Sequence, residues 1–123
     1  MIGIDSYGWM ERFTNGPKAQ QYNRIIDRVR PDEIVTSVVV LYEVYRKIKQ
    51  VKGEGLALEA VAALNQTKIV PVDQTLSLEA ADYSLTHGLH FTDALIYATS
   101  RHFEAELCTS DEDLKGLKDV IFV

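Results

Sequence analysis

The chain has 123 residues, 46% hydrophobic and 25% charged, with a formal net charge of −5 at pH 7. This length suits one domain, so we expect a single domain over residues 1–123, and the single Cys108 excludes an internal disulfide. No apolar run approaches the ~20 residues of a membrane span and no signal peptide is visible, which predicts a cytoplasmic protein without a membrane partner. The acidic charge argues against a general nucleic-acid coat but leaves room for carboxylates that hold a divalent cation.

The order of apolar runs and turn signals predicts strands that alternate with helices. The first residues, 1–4, form a short apolar run typical of a buried strand, and Asp5 stands at its carboxyl end. Further strands are predicted at 33–36, 68–72, 106–109 and 120–123. Helices are predicted at about 7–13, 17–30, 38–51, 54–65, 74–87 and 93–103, with a helical stub near 111–114. This alternation predicts a mostly parallel five-stranded sheet with helices on both faces, an α/β/α sandwich.

Several residues are expected to begin helices or limit strands. Ser6, Ser37 and Thr92 are predicted to cap the first, third and sixth helices. Either Asp73 or Thr75 is expected to cap the fifth helix. The third strand contains a proline at position 71, which cannot donate to a ladder and confines that strand to an edge or to its own end.

Four acids stand at element ends or among apolar residues, namely Asp5, Glu43, Asp93 and Asp111. Taken singly, an Asp at a strand end or in the first turn of a helix is explained as a capping residue that the helix dipole favours. Glu43 is explained by a surface pair with Arg46 or Lys47 on the same helix. The combination of all four is harder to explain by capping and surface pairs.

The segments that carry these acids resemble a known family in their order and spacing. The motifs are Asp5-Ser6 after a strand, Glu43 in a helix after Thr36-Ser37, Asp93 in Phe91-Thr-Asp-Ala-Leu-Ile-Tyr-Ala, and Thr109-Ser-Asp-Glu-Asp-Leu. Together they resemble the PIN-domain ribonucleases over the whole chain. The small size is similar to that of the VapC-like toxins of type II toxin-antitoxin systems.

The resemblance implies a PIN-like fold and a site that holds Mg²⁺ or Mn²⁺. The implied catalytic residues are Asp5, Glu43, Asp93 and Asp111, of which the three aspartates are the implied metal ligands. Ser6 and Thr109 match hydroxyls that the family has near its first and last acids. One departure concerns the last motif, which commonly ends in Asp-Phe in the family and here reads Asp113-Leu114. Asp113 is therefore a rival or a helper to Asp111.

The activity implied by the resemblance is hydrolysis of RNA phosphodiester bonds, with a homodimer and a small antitoxin protein as partners. A divalent cation neutralises charge on the phosphoryl oxygens and activates the attacking water. Positive charge flanks the acids in sequence, because Arg12 and Lys18 follow Asp5, and Arg46, Lys47, Lys49 and Lys52 follow Glu43. Of these, Arg12, Arg46 and Lys47 are the candidate substrate-binding residues, although such runs are more often solvated faces.

Two alternatives compete with this interpretation. The first is a non-catalytic PIN-like module that binds RNA or a protein and does not cut, and the second is a phosphoacceptor receiver domain. A receiver requires paired acids after its first strand and a lysine after a late one, whereas here Asp5 precedes Ser6, and Thr109 precedes Ser110.

Overall fold

A computed structural model describes all 123 residues and contains one five-stranded sheet. The strands are β1 Ile2–Ile4, β2 Ile34–Ser37, β3 Lys68–Val70, β4 Glu106–Thr109 and β5 Val120–Phe122. Their order is β3-β2-β1-β4-β5, and every neighbouring pair is parallel. The predicted five-stranded α/β fold is confirmed, and the sheet is parallel throughout. The order differs from the 2-1-3-4-5 arrangement of receiver-like folds, which argues against that alternative.

Six helices accompany the sheet: α1 Ser6–Thr14, α2 Ala19–Ile26, α3 Val38–Lys52, α4 Glu54–Leu64, α5 Gln74–His87 and α6 Phe91–His102. Two single 3₁₀ turns add Pro31–Glu33 and Glu112–Leu114. Helix α2 is shorter than predicted, because turns rather than helix carry the chain from Asp27 to Arg30. None of the helices combines the length and apolar character that crossing a bilayer requires.

The helix caps differ from the predictions at two of four positions. Ser37 caps α3 as predicted, its Oγ accepting from the Val39 N–H at 3.1 Å, and Asp73 caps α5. The N-cap of α1 is Asp5 rather than Ser6. The prediction for Thr92 is wrong, because α6 begins at Phe91 and its N-cap makes no side-chain hydrogen bond. A carboxylate thus caps the helix that follows β1.

Helices cover both faces of the sheet. Ile34 belongs to a main core of 21 buried residues, whereas its neighbour Val35 belongs to a cluster of four. Consecutive residues of a strand point to opposite faces, so these two cores lie on either side of the sheet. Strand β3 is at the edge, as the proline at position 71 predicted.

Helices α1 and α2 are in close contact near the start of the chain. A Cβ atom placed on Gly8 would overlap the aromatic ring of Tyr22 and would lie 2.9 Å from Ile4 Cγ2. The Tyr22 hydroxyl is 2.6 Å from Ser110 Oγ, directly after β4. This glycine therefore lets α1 and α2 pack together beside the carboxyl ends of β1 and β4.

Candidate active site

The carboxyl ends of β1 and β4 form the base of the site. The two strands are adjacent and parallel, with Ile4 opposite Cys108. The backbone N–H of Asp5 donates to the Cys108 carbonyl oxygen at 3.0 Å. Because parallel strands end at the same edge of a sheet, the residues that follow β1 and β4 emerge side by side.

One buried hydroxyl connects the acids of these two strand ends. Thr109 Oγ1 donates to Asp5 Oδ2 at 2.7 Å and accepts from the Asp111 N–H at 3.0 Å. The other carboxylate oxygen of Asp5 accepts from the Ser6 N–H at 2.7 Å. Asp5 is therefore held at both oxygens, and the backbone of Asp111 is fixed relative to it.

Helices α3 and α6 contribute the other two predicted acids. Ser37 caps α3 directly at the end of β2, so Glu43 lies one to two turns into a helix that begins at the same sheet edge. Asp93 lies in the first turn of α6. Together with residues directly after β1, in α1, between α1 and α2, and after β4, they line a cavity of about 500 Å³. Its lining residues are Asp5, Ser6, Tyr7, Lys18, Glu43, Asp93, Ser110 and Asp111.

Three carboxylates in the site approach one another most closely. Ligand oxygens of Asp93, Asp111 and Asp113 lie within 4.8 Å of each other. The N–H of Asp113 also donates to Asp111 Oδ1 at 2.9 Å. Asp113 is exposed and does not line the cavity, whereas Asp5 and Glu43 line the cavity outside this close group. Asp113 thus lies beside Asp111, outside the cavity lining.

The carboxylates of the cavity raise one another's pKa values. Burial, together with the negative charges of Asp111 and Asp5, raises the pKa of Asp93 to about 7. Burial also raises the pKa of Asp5, against the lowering effect of the hydrogen bond from Thr109. The pKa of Glu43 is raised by burial and by the charge of Asp5. The site therefore carries more negative charge than its surroundings stabilise, and binding a proton or a cation relieves this excess.

Comparison with known proteins identifies the family of this chain. A family model described as PIN domain matches residues 4–120. The chain belongs to the PIN domain family. No curated protein sequence matches it significantly.

Solved structures with the same fold include several toxin-antitoxin proteins. A toxin-antitoxin complex from Klebsiella pneumoniae is 21% identical with a TM-score of 0.84, covering 98% of this chain and 96% of the other. VapC20 from Mycobacterium tuberculosis, titled a Sarcin-Ricin loop cleaving toxin, is 18% identical with a TM-score of 0.76, covering 94% and 92%. VapBC2 from Rickettsia felis, bound to a promoter DNA fragment, is 15% identical with a TM-score of 0.71, covering 100% and 98%. At these identities the likeness establishes the fold.

The donor atoms of this PIN domain fit a hard divalent cation. The acids that surround the cavity offer carboxylate oxygens, and neither the cavity lining nor the close group contains a histidine or cysteine. Oxygen ligands of this kind suit Mg²⁺ and Mn²⁺, whereas structural zinc sites use cysteine and histidine. The raised pKa values also favour a cation at this site. Clustered carboxylates that form no ion pair hold protons, and a cation would displace them.

The basic residues near the site of this PIN domain differ in position. Arg12 does not line the cavity, and its guanidinium pairs with Asp27 at 3.0 Å and donates to Asn23 at 2.8 Å. Arg46 and Lys47 line a groove that also includes Glu43. Arg46 and Lys47 thus lie beside the acidic cavity, where a residue that binds the substrate is expected. Arg12 lies outside the lining of both the cavity and this groove.

Three lining residues were absent from the predicted set: Tyr7, Lys18 and Ser110. Ser110 had a usable signal, because it immediately precedes Asp111 after a strand. Lys18 also had a signal, as one of the basic residues that follow Asp5 in sequence. The turn between α1 and α2 brings it to the cavity, where its Nζ donates to the Val123 carbonyl oxygen at 2.9 Å. Tyr7 donates its hydroxyl hydrogen to the buried Glu11 carboxylate.

Proposed function

We propose that this PIN domain is a divalent-cation-dependent ribonuclease that hydrolyses RNA phosphodiester bonds. The observation that carries the proposal is the convergence of four carboxylates, from four separate segments of the chain, on one open cavity. Mutual repulsion makes such an arrangement costly unless a cation or a proton compensates it. Membership of the PIN domain family supports nuclease activity as the purpose of that arrangement.

We assign the cation to Asp5, Asp93 and Asp111, with Asp113 as an outer helper. Asp93 and Asp111 already bring their oxygens within 4.8 Å of each other, and Asp5 is tied to Asp111 through Thr109. A bound Mg²⁺ or Mn²⁺ supplies positive charge to the phosphoryl oxygens and lowers the pKa of the attacking water. Because Mg²⁺ keeps several of its waters when bound to proteins, some of these carboxylates would hold it through water.

The remaining residues orient the reactants. In hydrolysis, a water oxygen attacks phosphorus in line with the leaving ribose oxygen, and the bond to that oxygen breaks. The water gives up a proton to solvent and the leaving oxygen takes one up, which yields a phosphate monoester and a ribose hydroxyl. Glu43 has a raised pKa and lines the cavity, so it is suited to orient the water or complete the ligand shell. Ser6 and Thr109 hold Asp5 by donating to its two carboxylate oxygens, through a backbone N–H and a hydroxyl respectively.

We further propose that the chain is the toxin of a toxin-antitoxin pair, acts on RNA in the cytoplasm and forms a homodimer. The support is the fold shared over nearly the full length with toxin-antitoxin proteins, one of which is a Sarcin-Ricin loop cleaving toxin. The small antitoxin would fill the active-site groove. An apolar groove of about 480 Å³ between α5 and α6, beside the exposed Phe91 and Leu85, supports a subunit contact.

The test is cleavage of RNA by purified protein with and without a cation. Wild type with Mn²⁺ or Mg²⁺ is expected to cut RNA, and EDTA is expected to stop it. Asp5→Asn and Asp93→Asn are expected to reduce the rate at least ~100-fold with the fold retained by circular dichroism, because each removes an assigned ligand. The exposed Asp32→Asn is the matched control and keeps wild-type activity. RNA binding without metal-dependent cutting would instead favour the non-catalytic module.

A further inference from the structure

The acidic cavity continues into a second surface along α3. Glu43 lines both the cavity and a groove of about 440 Å³ whose other lining residues are Met10, Tyr42, Arg46 and Lys47. Tyr42 and Arg46 also line an adjoining groove of about 500 Å³ with Tyr45, Lys49 and Gln50. We call this continuous surface, lined by Tyr42, Tyr45, Arg46, Lys47 and Lys49, the basic groove. It begins at an assigned catalytic residue and leads away along the helix.

Two of the three cations of the basic groove are unpaired, whereas the third, Lys49, pairs with Glu54 at 3.6 Å. Arg46 and Lys47 make no ion pair with any acid of the chain, and both are exposed. By contrast, Arg12 and Arg101 are paired with aspartates. Two unpaired cations beside a carboxylate site attract a polyanion to this part of an otherwise acidic protein.

An exposed aromatic ring accompanies these charges. Tyr42 is 64% exposed and stands one residue before Glu43. Tyr42, Arg46 and Lys49 share one face of α3, because residues three and four apart lie above one another on a helix. The opposite face buries Val40, Val44 and Ile48 in the core, which fixes the rotation of α3 and keeps the Tyr42 ring on the surface. The ring is thus available for stacking by a planar group.

We propose that the basic groove holds the single-stranded RNA segment next to the scissile phosphate, with its phosphates on Arg46 and Lys47 and an unpaired base stacked on Tyr42. This inference rests on the proposed function, because it assigns a path to the RNA that the acidic cavity would cut. Alternating cations and an aromatic ring suit a strand of nucleotides, whose phosphates need charge and whose free bases need a flat apolar surface. Paired bases would not expose a face to Tyr42.

The first test measures binding without cleavage. A fluorescent single-stranded oligoribonucleotide of about 12 nucleotides is titrated by anisotropy with the full chain carrying Asp93→Asn, in Mg²⁺, at several salt concentrations. Adding Arg46→Gln and Lys47→Gln together is expected to weaken affinity at least ~5-fold at low salt. The slope of log affinity against log salt should become shallower by ~0.7 for each lost phosphate contact.

The matched control is Arg24→Gln with Arg28→Gln, which changes the net charge equally at exposed residues on and just after α2. It should leave affinity within ~2-fold and the salt slope unchanged. Equal losses in the two double variants would overturn the proposal, because they would indicate a diffuse charge effect. Unchanged RNA affinity in the α3 variant would also overturn it and leave the basic groove as a surface for a protein partner.

The second test isolates stacking on Tyr42. Tyr42→Ala is expected to weaken binding at least ~5-fold with no change in salt slope, whereas Tyr42→Phe keeps the ring and stays within ~2-fold of the parent. In the otherwise wild-type enzyme, the α3 double variant should raise KM and leave kcat within ~3-fold, because it removes binding shared by ground and transition states. A kcat loss without a KM change would contradict a path for the flanking strand.

Failure of this inference and failure of the proposed function give different results. If the wild type cuts RNA with a cation but the basic-groove variants bind and cut normally, the ribonuclease function stands and the groove assignment is wrong. If the chain binds the oligonucleotide through Tyr42, Arg46 and Lys47 but never cuts, the groove assignment stands and the catalytic proposal fails.

Discussion

The Thr109 hydroxyl donates to Asp5 Oδ2 at 2.7 Å although the two residues are 104 positions apart. The Thr109 hydroxyl oxygen also accepts from the Asp111 N–H at 3.0 Å, so one fully buried hydroxyl connects two carboxyl residues of the cavity. The adjacency of β1 and β4 makes this contact possible. This hydrogen bond restrains the carboxylate of Asp5, the most buried acid of the site.

Thr109→Val should therefore lower both stability and RNA cleavage. Valine has nearly the same shape, but it leaves a buried Asp5 oxygen without its donor and the Asp111 N–H without its acceptor, at a cost of about 1–3 kcal/mol. Thr109→Ser keeps the hydroxyl and should lose less than Thr109→Val in both respects. Urea unfolding and initial cleavage rates measure the difference. A larger loss in Thr109→Ser than in Thr109→Val would assign the role of Thr109 to its methyl group and packing.

The pH dependence of stability without a cation should follow Asp93. The pKa of this carboxyl is about 7 in the folded protein, against 3.8 for the isolated group. Between these values the folded chain holds a proton that the unfolded chain has released, so the free energy of unfolding in EDTA should fall as pH rises from about 4 to about 7. Asp5 and Glu43 act in the same direction, because their pKa values are also raised.

Asp93→Asn removes the largest part of this effect. In EDTA at about pH 8 the variant should be more stable than wild type by on the order of 1 kcal/mol, a figure kept small because solvent screens the half-buried side chain. Its stability should also change less with pH, which thermal unfolding at several pH values measures. A variant that is less stable than wild type at high pH would show that the folded protein stabilises the charged carboxylate of Asp93.

Divalent cations should stabilise the protein, and more strongly at about pH 8 than at about pH 5, because protons compete for the same carboxylates. A free cation concentration of about 100 times the dissociation constant should raise the free energy of unfolding by about 2.7 kcal/mol and raise the Tm. Asp111→Asn should abolish most of the shift with Mn²⁺, and Asp113→Asn should reduce it by less, because Asp113 is exposed and outside the cavity lining. The reverse order of the two variants would make Asp113 the principal ligand.

Gly8→Ala should destabilise the chain by about 1–3 kcal/mol, because the added methyl overlaps the buried ring of Tyr22. The matched control is Gly55→Ala in α4, where an added Cβ meets nothing within 4 Å, and it should stabilise the helix by about 0.5–1 kcal/mol. Denaturant unfolding compares the two. A neutral Gly8→Ala would show that Tyr22 can move aside at little cost.

A homodimer through α5 and α6 should be sensitive to charge at its exposed apolar residues. Leu85 and Phe91 are 87% and 78% exposed beside an apolar groove. Leu85→Lys with Phe91→Lys should convert a dimer to a monomer in light scattering, because two buried lysines would lose their hydration. Leu58→Lys, at an exposed residue of α4, is the control and should leave the mass unchanged. A persistent dimer would place the subunit contact elsewhere.

Local sequence signals were sufficient for most of the elements. Short apolar runs and turn residues located all five strands and six helices, and Ser37 was recognised as a cap because its hydroxyl acts on a backbone group two residues away. The end of α2 and the start of α6 were misjudged: α2 ends at Ile26 rather than near 30, and α6 begins at Phe91 rather than at 93. The choice between Asp5 and Ser6 as the cap of α1 depended on rotamers that the sequence does not specify.

The sequence by itself determined which residues are candidates for the site, because acids at strand ends and among apolar residues are visible along the chain. Only the tertiary structure decided that these four share one cavity, that Asp113 accompanies Asp111, and that Lys18 and not Arg12 lines the cavity. The physical reason is that strand order and helix packing fix distances between residues up to about a hundred positions apart, through hydrogen bonds and burial that local patterns do not encode.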